Sequence, residues 1–257
     1  MHRNMGGRTR GGGRAKVGAC MPVFNAFLPC RSGSERVKKK NTREFCGIEG
    51  GLTRIKLQQL ARVPELSTII VSTNDPDVME ISRQVAADTG VRIDIIERPE
   101  HLGTSQTRTD DLILYAAEIA PEGVLLWTHT TSPFCRAELY SRAIHAYASG
   151  LEGGVHDSLM SVSPIRSFVW TVDGPLNYDR TKEKWPRTQT LPILYDVNSA
   201  LFMCDRDLMR QHGDRIGTRP VLFEMDHVDS LEIDWEEDFA FAEKVGEVMV
   251  REGRKWW

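Results

Sequence analysis

The chain has 257 residues, 40% hydrophobic and 27% charged, with a net charge of −3. That size and composition suit one large α/β domain carrying an insertion, or two small domains. The near-neutral balance, without long Lys/Arg runs, argues against a nucleic-acid binder, and no apolar stretch reaches the ~18 residues that cross a membrane.

Residues 1–20 form a Gly/Arg-rich leader, with Gly11, Gly12 and Gly13 beside Arg10 and Arg14. Such a segment cannot build a core and is expected to be disordered. It lacks the apolar region of a signal peptide. It reads either as a basic tail touching RNA or a partner, or as a stretch ahead of a natural start at Met21. The second reading is preferred, because the first strand begins there.

From Met21 the chain alternates. Val23–Leu28 is an apolar run expected as a buried strand, followed by a polar loop over Arg31–Asn41. Leu52, Ile55, Leu57 and Leu60 mark a helix closed by Pro64. Ser67–Thr73 is a β-branched strand, Asn74-Asp75-Pro76 a turn that starts a helix ending near Gly90, and Val91–Ile96 another strand. A helix over Asp110–Ala120 precedes Gly123–His129, apolar enough for a central parallel strand, and another helix covers Arg136–Ser149. This rhythm implies a mostly parallel sheet covered on both faces, with ligands at the carboxyl ends of its strands. It breaks over Ser163–Leu194, which holds Pro164, Pro175, Pro186 and Pro192 and reads as a β-rich insertion. Strands return at Ser199–Cys204 and Val221–Met225, and an amphipathic helix over Trp235–Val250 closes the chain. Five cysteines (Cys20, Cys30, Cys46, Cys135, Cys204) are widely spaced, with no C-x-x-C pair. They read as buried thiols in a reducing cytoplasm rather than a disulfide or zinc framework.

Two segments carry chemistry. The first is Leu28-Pro29-Cys30-Arg31-Ser32-Gly33-Ser34-Glu35-Arg36-Val37-Lys38-Lys39-Lys40-Asn41, directly after the first strand. Gly33 permits a tight backbone whose amides can face an anion, and the five cations would neutralise a triphosphate. It matches neither the Walker A nor the dinucleotide-binding glycine pattern; taken alone it is equally a solvated basic loop. The second is Leu231-Glu232-Ile233-Asp234. Read as a strand, it turns Glu232 and Asp234 to the same side, and a hard cation such as Mg²⁺ would relieve their repulsion. Glu236, Glu237 and Asp238 read as acids complementing a helix start. His129, at the end of a central strand, is a candidate base or sugar contact, whereas Trp127, Trp170, Trp185 and Trp235 read as packing anchors.

The first segment resembles the (I/L)-P-x-R-x-G-S-(K/E)-R-x-x-x-K-N signature of acylneuraminate cytidylyltransferases and their 3-deoxy-manno-octulosonate relatives. Trp127-Thr128-His129-Thr130-Thr131-Ser132-Pro133-Phe134 is similar to the family's L-L-Q-P-T-S-P-L, and Ser230-Leu231-Glu232-Ile233-Asp234 to its S-I-D-I-D metal motif. Order and spacing agree from about Val23 to Val250. The resemblance implies a Rossmann-like three-layer nucleotidyltransferase domain over residues 21–257, with a small dimerisation insertion at about 163–194. It also implies CTP and an acidic keto sugar as substrates, Mg²⁺ on Glu232 and Asp234, release of pyrophosphate, and a homodimer, for which the insertion's tip (Phe168, Val169, Trp170) is the expected contact.

Carried over by position, Arg31, Ser32, Gly33, Ser34, Arg36, Lys40 and Asn41 would bind the nucleotide. Thr107–Thr109 fall where the family places a nucleotide-contacting serine after R-P-x-x-L-A, here Arg98-Pro99-Glu100-His101-Leu102-Gly103, so Thr107 and Thr109 join them. His129, Thr131, Arg187, Gln189 and Asn198 would hold the sugar, and Arg31, Lys40 and His129 would act in catalysis. The chain departs from the pattern at Glu35, where lysine is common, at His129 for glutamine, and at Glu232 for aspartate. Asp196 stands where sialate enzymes have an arginine near the substrate carboxylate. An aspartate would repel that carboxylate, which favours a related keto sugar acid or another sugar. The rival readings are another nucleotide donor, or a non-catalytic sugar-nucleotide binder on the same fold.

Overall fold

A computed structural model describes residues 21–257, so the expectations for the leader and Cys20 lie outside the described residues. The first apolar run forms β1 (Phe24–Cys30), with Ala26, Phe27 and Leu28 fully buried. It pairs in parallel with β2 (Leu66–Thr73) and with β4 (Val124–Thr128), and β2 pairs in parallel with β3 (Ile93–Glu97). The sheet continues through β5 (Ser158–Ile165), β8 (Leu194–Asp205) and β9 (Pro220–Glu224), giving seven strands in the order β3-β2-β1-β4-β8-β5-β9. β8 runs antiparallel to both neighbours, and a two-stranded hairpin, β6 (Trp170–Thr171) and β7 (Gly174–Pro175), stands apart.

Among the described residues there are six α-helices: α1 (Gly51–Leu60), α2 (Pro76–Thr89), α3 (Thr109–Ile119), α4 (Ala137–Glu152), α5 (Arg206–His212) and α6 (Glu236–Arg251). Local chemistry sets their ends. Asp75 caps α2 by accepting from the Asp77 amide at 3.0 Å, Pro76 opens it, and Gly90 closes it in a left-handed turn. α1 starts at Gly51, where a Cβ would stand 1.8 Å from the Arg43 carbonyl oxygen, so only glycine lets the preceding loop fold back on the helix. Leu57, Val78, Ile81, Leu139 and Ile144 of α1, α2 and α4 pack one face of the sheet, and Ile113, Ala116 and Met209 of α3 and α5 the other. A third cluster lies under the loops: Val37, Leu52, Ile55, Phe134, Ile233 and Phe239.

The architecture is the expected Rossmann-like α/β layer fold, with three corrections. Ser158–Ile165 is a full interior strand; its three serines and Pro164 hid it, yet Leu159 and Val162 are fully buried. α5 follows β8 directly, capped by Asp205, which accepts from the Asp207 and Leu208 amides. Leu231–Asp234 is not a strand but extended loop, joined to the rest by the Ile233 amide donating to the Thr131 carbonyl at 2.8 Å. Residues 166–193 join β5 to β8 and hold the β6–β7 hairpin.

Candidate active site

From β1 the chain turns toward β2, and from β4 it turns the other way, toward β5. The loops after these adjacent strands diverge and leave a crevice at their carboxyl ends. The Arg31–Gly50 loop forms one wall. Gly33 has φ +70° with open space where a Cβ would point, so conformation rather than room selects glycine there. Asn41 fastens this wall to the other: its side-chain amide donates to the Arg31 carbonyl at 3.2 Å, and its Oδ1 accepts from the Thr130 hydroxyl at 2.8 Å. Val37, fully buried, anchors the basic loop to the third cluster.

Three clefts lie here. Arg31, Gly33, Ser34, Lys38, Lys39, Lys40 and Asn41 line one of about 340 Å³. A second, of about 370 Å³, shares Arg31, Ser34, Lys40 and Asn41 with it and adds Arg36, Ser105, His129 and Thr131. A third, of about 790 Å³, is lined by Ser163, Arg166, Asp196, Asn198, His227 and Glu232, among others.

The acids near the end of the chain meet the cations near its start. Lys40 Nζ donates to the Ile233 carbonyl at 3.0 Å and lies 3.8 Å from Asp234 Oδ1, while Arg36 Nη2 lies 3.3 Å from the same oxygen. Asp238 holds the turn by accepting from the Asp234 and Trp235 amides. Glu232, on the wall of the third cleft, accepts from the hydroxyl of Thr131, on the wall of the second, at 3.4 Å. Burial, reinforced by the charge of Asp234, pushes Glu232 up to about 6, whereas burial lowers the pKa of Lys40. Two carboxylates brought together, one half-buried and without a cation of its own, are a donor set that suits a hard divalent ion. Among the described residues no cluster of three or more His, Cys, Asp or Glu could hold a metal alone. An ion here would complete its shell with substrate oxygens and water.

The structure brings together Arg31, Gly33, Ser34, Arg36, Lys40, Asn41, His129 and Thr131, with Asn198 and Glu232 in the adjoining cleft and Asp234 at the rim. Ser32 turns its amide to Asn74 Oδ1 at 2.9 Å and lines none of the three. Thr107 donates its hydroxyl to the His101 carbonyl, and Thr109 opens α3 in solvent; Ser105 is the hydroxyl of this segment that faces the cleft. Arg187 and Gln189 stand exposed on the insertion, away from all three clefts. Of the four tryptophans read as packing anchors only Trp127 is buried; Trp170, Trp185 and Trp235 are exposed. Arg166 and Arg215 were not legible in the sequence. Arg166 follows the carboxyl end of β5 and was hidden with that strand. Arg215, on the loop after α5, lies over the rings of Phe202 at 3.7 Å and Trp127 at 5.6 Å.

Residues 26–255 match the family model described as cytidylyltransferase. The chain belongs to the cytidylyltransferase family. It is 26% identical over 248 residues to N-acylneuraminate cytidylyltransferase of Streptococcus agalactiae serotype III, covering 88% of this chain and 57% of that protein. This cytidylyltransferase thus spans little more than half of that relative. It is 22% identical over 225 residues to post-translational flagellin modification protein B of Campylobacter coli, covering 83% and 90%. Its fold is similar to 4-diphosphocytidyl-2C-methyl-D-erythritol synthase from Anaerococcus prevotii (TM-score 0.61, 16% identity, 88% and 96% covered). It is similar also to CMP:2-keto-3-deoxy-manno-octonic acid synthetase complexed with CTP (TM-score 0.56, 16% identity, 90% and 99% covered). No helix among the described residues is long and apolar enough to cross a membrane.

Proposed function

We propose that this cytidylyltransferase transfers CMP from CTP to an acidic keto sugar, a nonulosonate or a related sugar acid, and releases pyrophosphate. One juxtaposition carries the reading: Lys40, from the basic loop, lies 3.8 Å from Asp234, 194 residues later in the chain, across a crevice at the carboxyl ends of β1 and β4. Arg31, Lys40 and the amides around Gly33 neutralise the triphosphate and the departing pyrophosphate. Ser105 and Asn41 help to seat the nucleotide. Glu232 and Asp234 are the residues that would hold Mg²⁺, which when bound supplies Lewis-acid polarisation and charge neutralisation at the phosphoryl group. The acceptor occupies the third cleft, beside Asn198, with Thr131 at its border with the nucleotide. Its hydroxyl oxygen attacks the α-phosphorus, the bond to the β-phosphate breaks, and pyrophosphate and a proton leave. Positioning and fixed charge supply most of the acceleration.

Asp196 on the wall of the acceptor cleft favours a second reading, transfer to an uncharged sugar. Pyrophosphate release with CTP, Mg²⁺ and a panel of keto sugar acids and neutral sugars separates the two. Turnover with a sugar acid is expected. Turnover with neutral sugars alone would select the second reading, and a preference for UTP or GTP over CTP in the same assay would sink both.

A further inference from the structure

His129 follows β4, is half-buried as a residue, and lines the second cleft. Trp127, two residues earlier and so on the same side of the strand, brings its indole Nε1 to 3.0 Å from His129 Nε2. An indole N–H only donates, so His129 Nε2 accepts and carries no proton. The proton of the neutral ring then sits on Nδ1, which has no partner within the chain among the described residues. Trp127 is fixed in turn: it is 1% exposed, packs on Phe27 with ring centroids 4.7 Å apart, and lies under the Arg215 guanidinium.

We propose that Trp127 locks His129 as its Nδ1–H tautomer, so that His129 offers the cleft a hydrogen-bond donor and recognises a substrate oxygen instead of acting as a base. The ring's one lone pair is occupied by the indole, and a base needs it free. Electrostatics agree. Burial and the positive charges of Arg215, Lys56, Lys40 and Arg98, from four separate segments, push the ring down to about 3, so it stays neutral at any working pH. Arg215 forms no ion pair among the described residues and adds a second set of donors beside the same Trp127–Phe202 surface. This corner therefore suits an oxygen that accepts hydrogen bonds.

The role in recognition rests on the proposed nucleotidyl transfer; the tautomer does not. Nitrogen-15 NMR of histidine-labelled protein, with the His129 signal assigned by its loss in His129→Gln, reads the tautomer without substrate. Nδ1 protonated and Nε2 bare, unchanged from pH 5 to 8, is expected; a protonated Nε2 in that range would overturn the lock. In Trp127→Phe the ring should stay neutral but lose its fixed tautomer, so that protonated Nε2 appears in the spectrum, and an unchanged spectrum would deny Trp127 its role. If that variant fails to fold, the wild-type spectrum still decides the tautomer. In turnover, His129→Gln keeps an N–H donor and should lose no more than about 10-fold, against roughly 100-fold for His129→Leu, which leaves a substrate oxygen unpaired. Loss of a base would cost both variants roughly 10²–10⁴-fold alike, and equal losses would overturn the donor role. A wild type that releases no pyrophosphate sinks the transfer reading and leaves the tautomer result standing.

Discussion

Lys56 is fully buried on α1, and its three ammonium hydrogens meet three acceptors: the carbonyls of Ser132 (2.8 Å) and Cys135 (3.4 Å) and the Tyr140 hydroxyl oxygen (2.7 Å). Proton order in the network is determined. Thr128 donates to the Ala200 carbonyl at 2.7 Å, so Tyr140 donates to Thr128 and is left to accept from Lys56. The lysine ties down the Thr130–Cys135 loop that carries Thr131. Lys56→Met should cost about 3 kcal/mol in urea unfolding, because buried acceptors lose their donor. Burial lowers Lys56 to about 8. Between about pH 8 and its ordinary value the unfolded chain binds the proton and the folded one does not, so this residue makes stability rise with pH there. The Met variant should lack that rise. At the site, Asp234→Asn is expected to reduce pyrophosphate release at least ~100-fold, the several kcal/mol that a bound cation supplies, while the thermal melt stays unchanged, since Asp234 is 44% exposed. Activity equal to wild type would remove the acid pair from the chemistry.

The element that shapes the third cleft is a bulge in β8. Met160 pairs with Phe202 and Val162 with Val197, so Ser161 faces several β8 residues. Within the bulge Ser199 takes φ +54°, a strained backbone for a side-chain-bearing residue. The bulge turns Asn198 back onto Ser161 (2.6 Å) and Ser163 (3.0 Å), where it also lines the cleft. Ser199→Gly should relieve the strain and raise the unfolding free energy in urea by about 0.5–1 kcal/mol; a lower value would show that the serine side chain outweighs it. The loop carrying Arg215 has its own fastening. Asp157 accepts from the Ser158 and Thr218 hydroxyls and from the Thr218 and Arg219 amides. Burial alone would raise its pKa, but those hydrogen bonds outweigh it and hold it at about 2. Its contribution is therefore complete above the unfolded carboxylate value and fades as pH falls through about 2. Asp157→Asn should melt roughly 2–4 °C lower at pH 7, with the gap closing at pH 2; a gap that persists in acid would point to packing instead.

Across the whole molecule, the motifs converge because each carries one apolar residue into a shared core: Val37 among the lysines, Phe134 after Ser132-Pro133, and Ile233 between the two acids. Burying each contributes about 1.5–3 kcal/mol, which holds otherwise repelling polar segments together. The insertion presents the opposite case. Phe168, Trp170, Tyr178 and Trp185 pack on one another, yet Trp170 is 45% and Trp185 63% exposed, with Val172 wholly exposed beside them. An apolar patch of this kind marks an association surface, and we propose that it pairs two copies of the chain. Sedimentation should give a dimeric mass, and Val172→Glu with Trp185→Glu should shift it to the monomer. A monomeric wild type would end the proposal.

The parallel half of the sheet was legible because fully buried strands are continuous apolar runs, and the basic loop and acid pair were legible because charge so concentrated stands out in sequence. β5 was not, since its serines mimic a surface segment and only burial between β8 and β9 reveals it as interior; Arg166 was lost with it. Residue identity and order thus determined the family, the layer architecture, and the basic loop and acid pair that the fold brings together. Tertiary structure decided the direction of β8, the choice of Ser105 over Thr107, the raised carboxyl of Glu232 and the neutral ring of His129. Each of these depends on partners or burial contributed by chain segments far apart in sequence, and such fields and contacts exist only once the chain has closed around them.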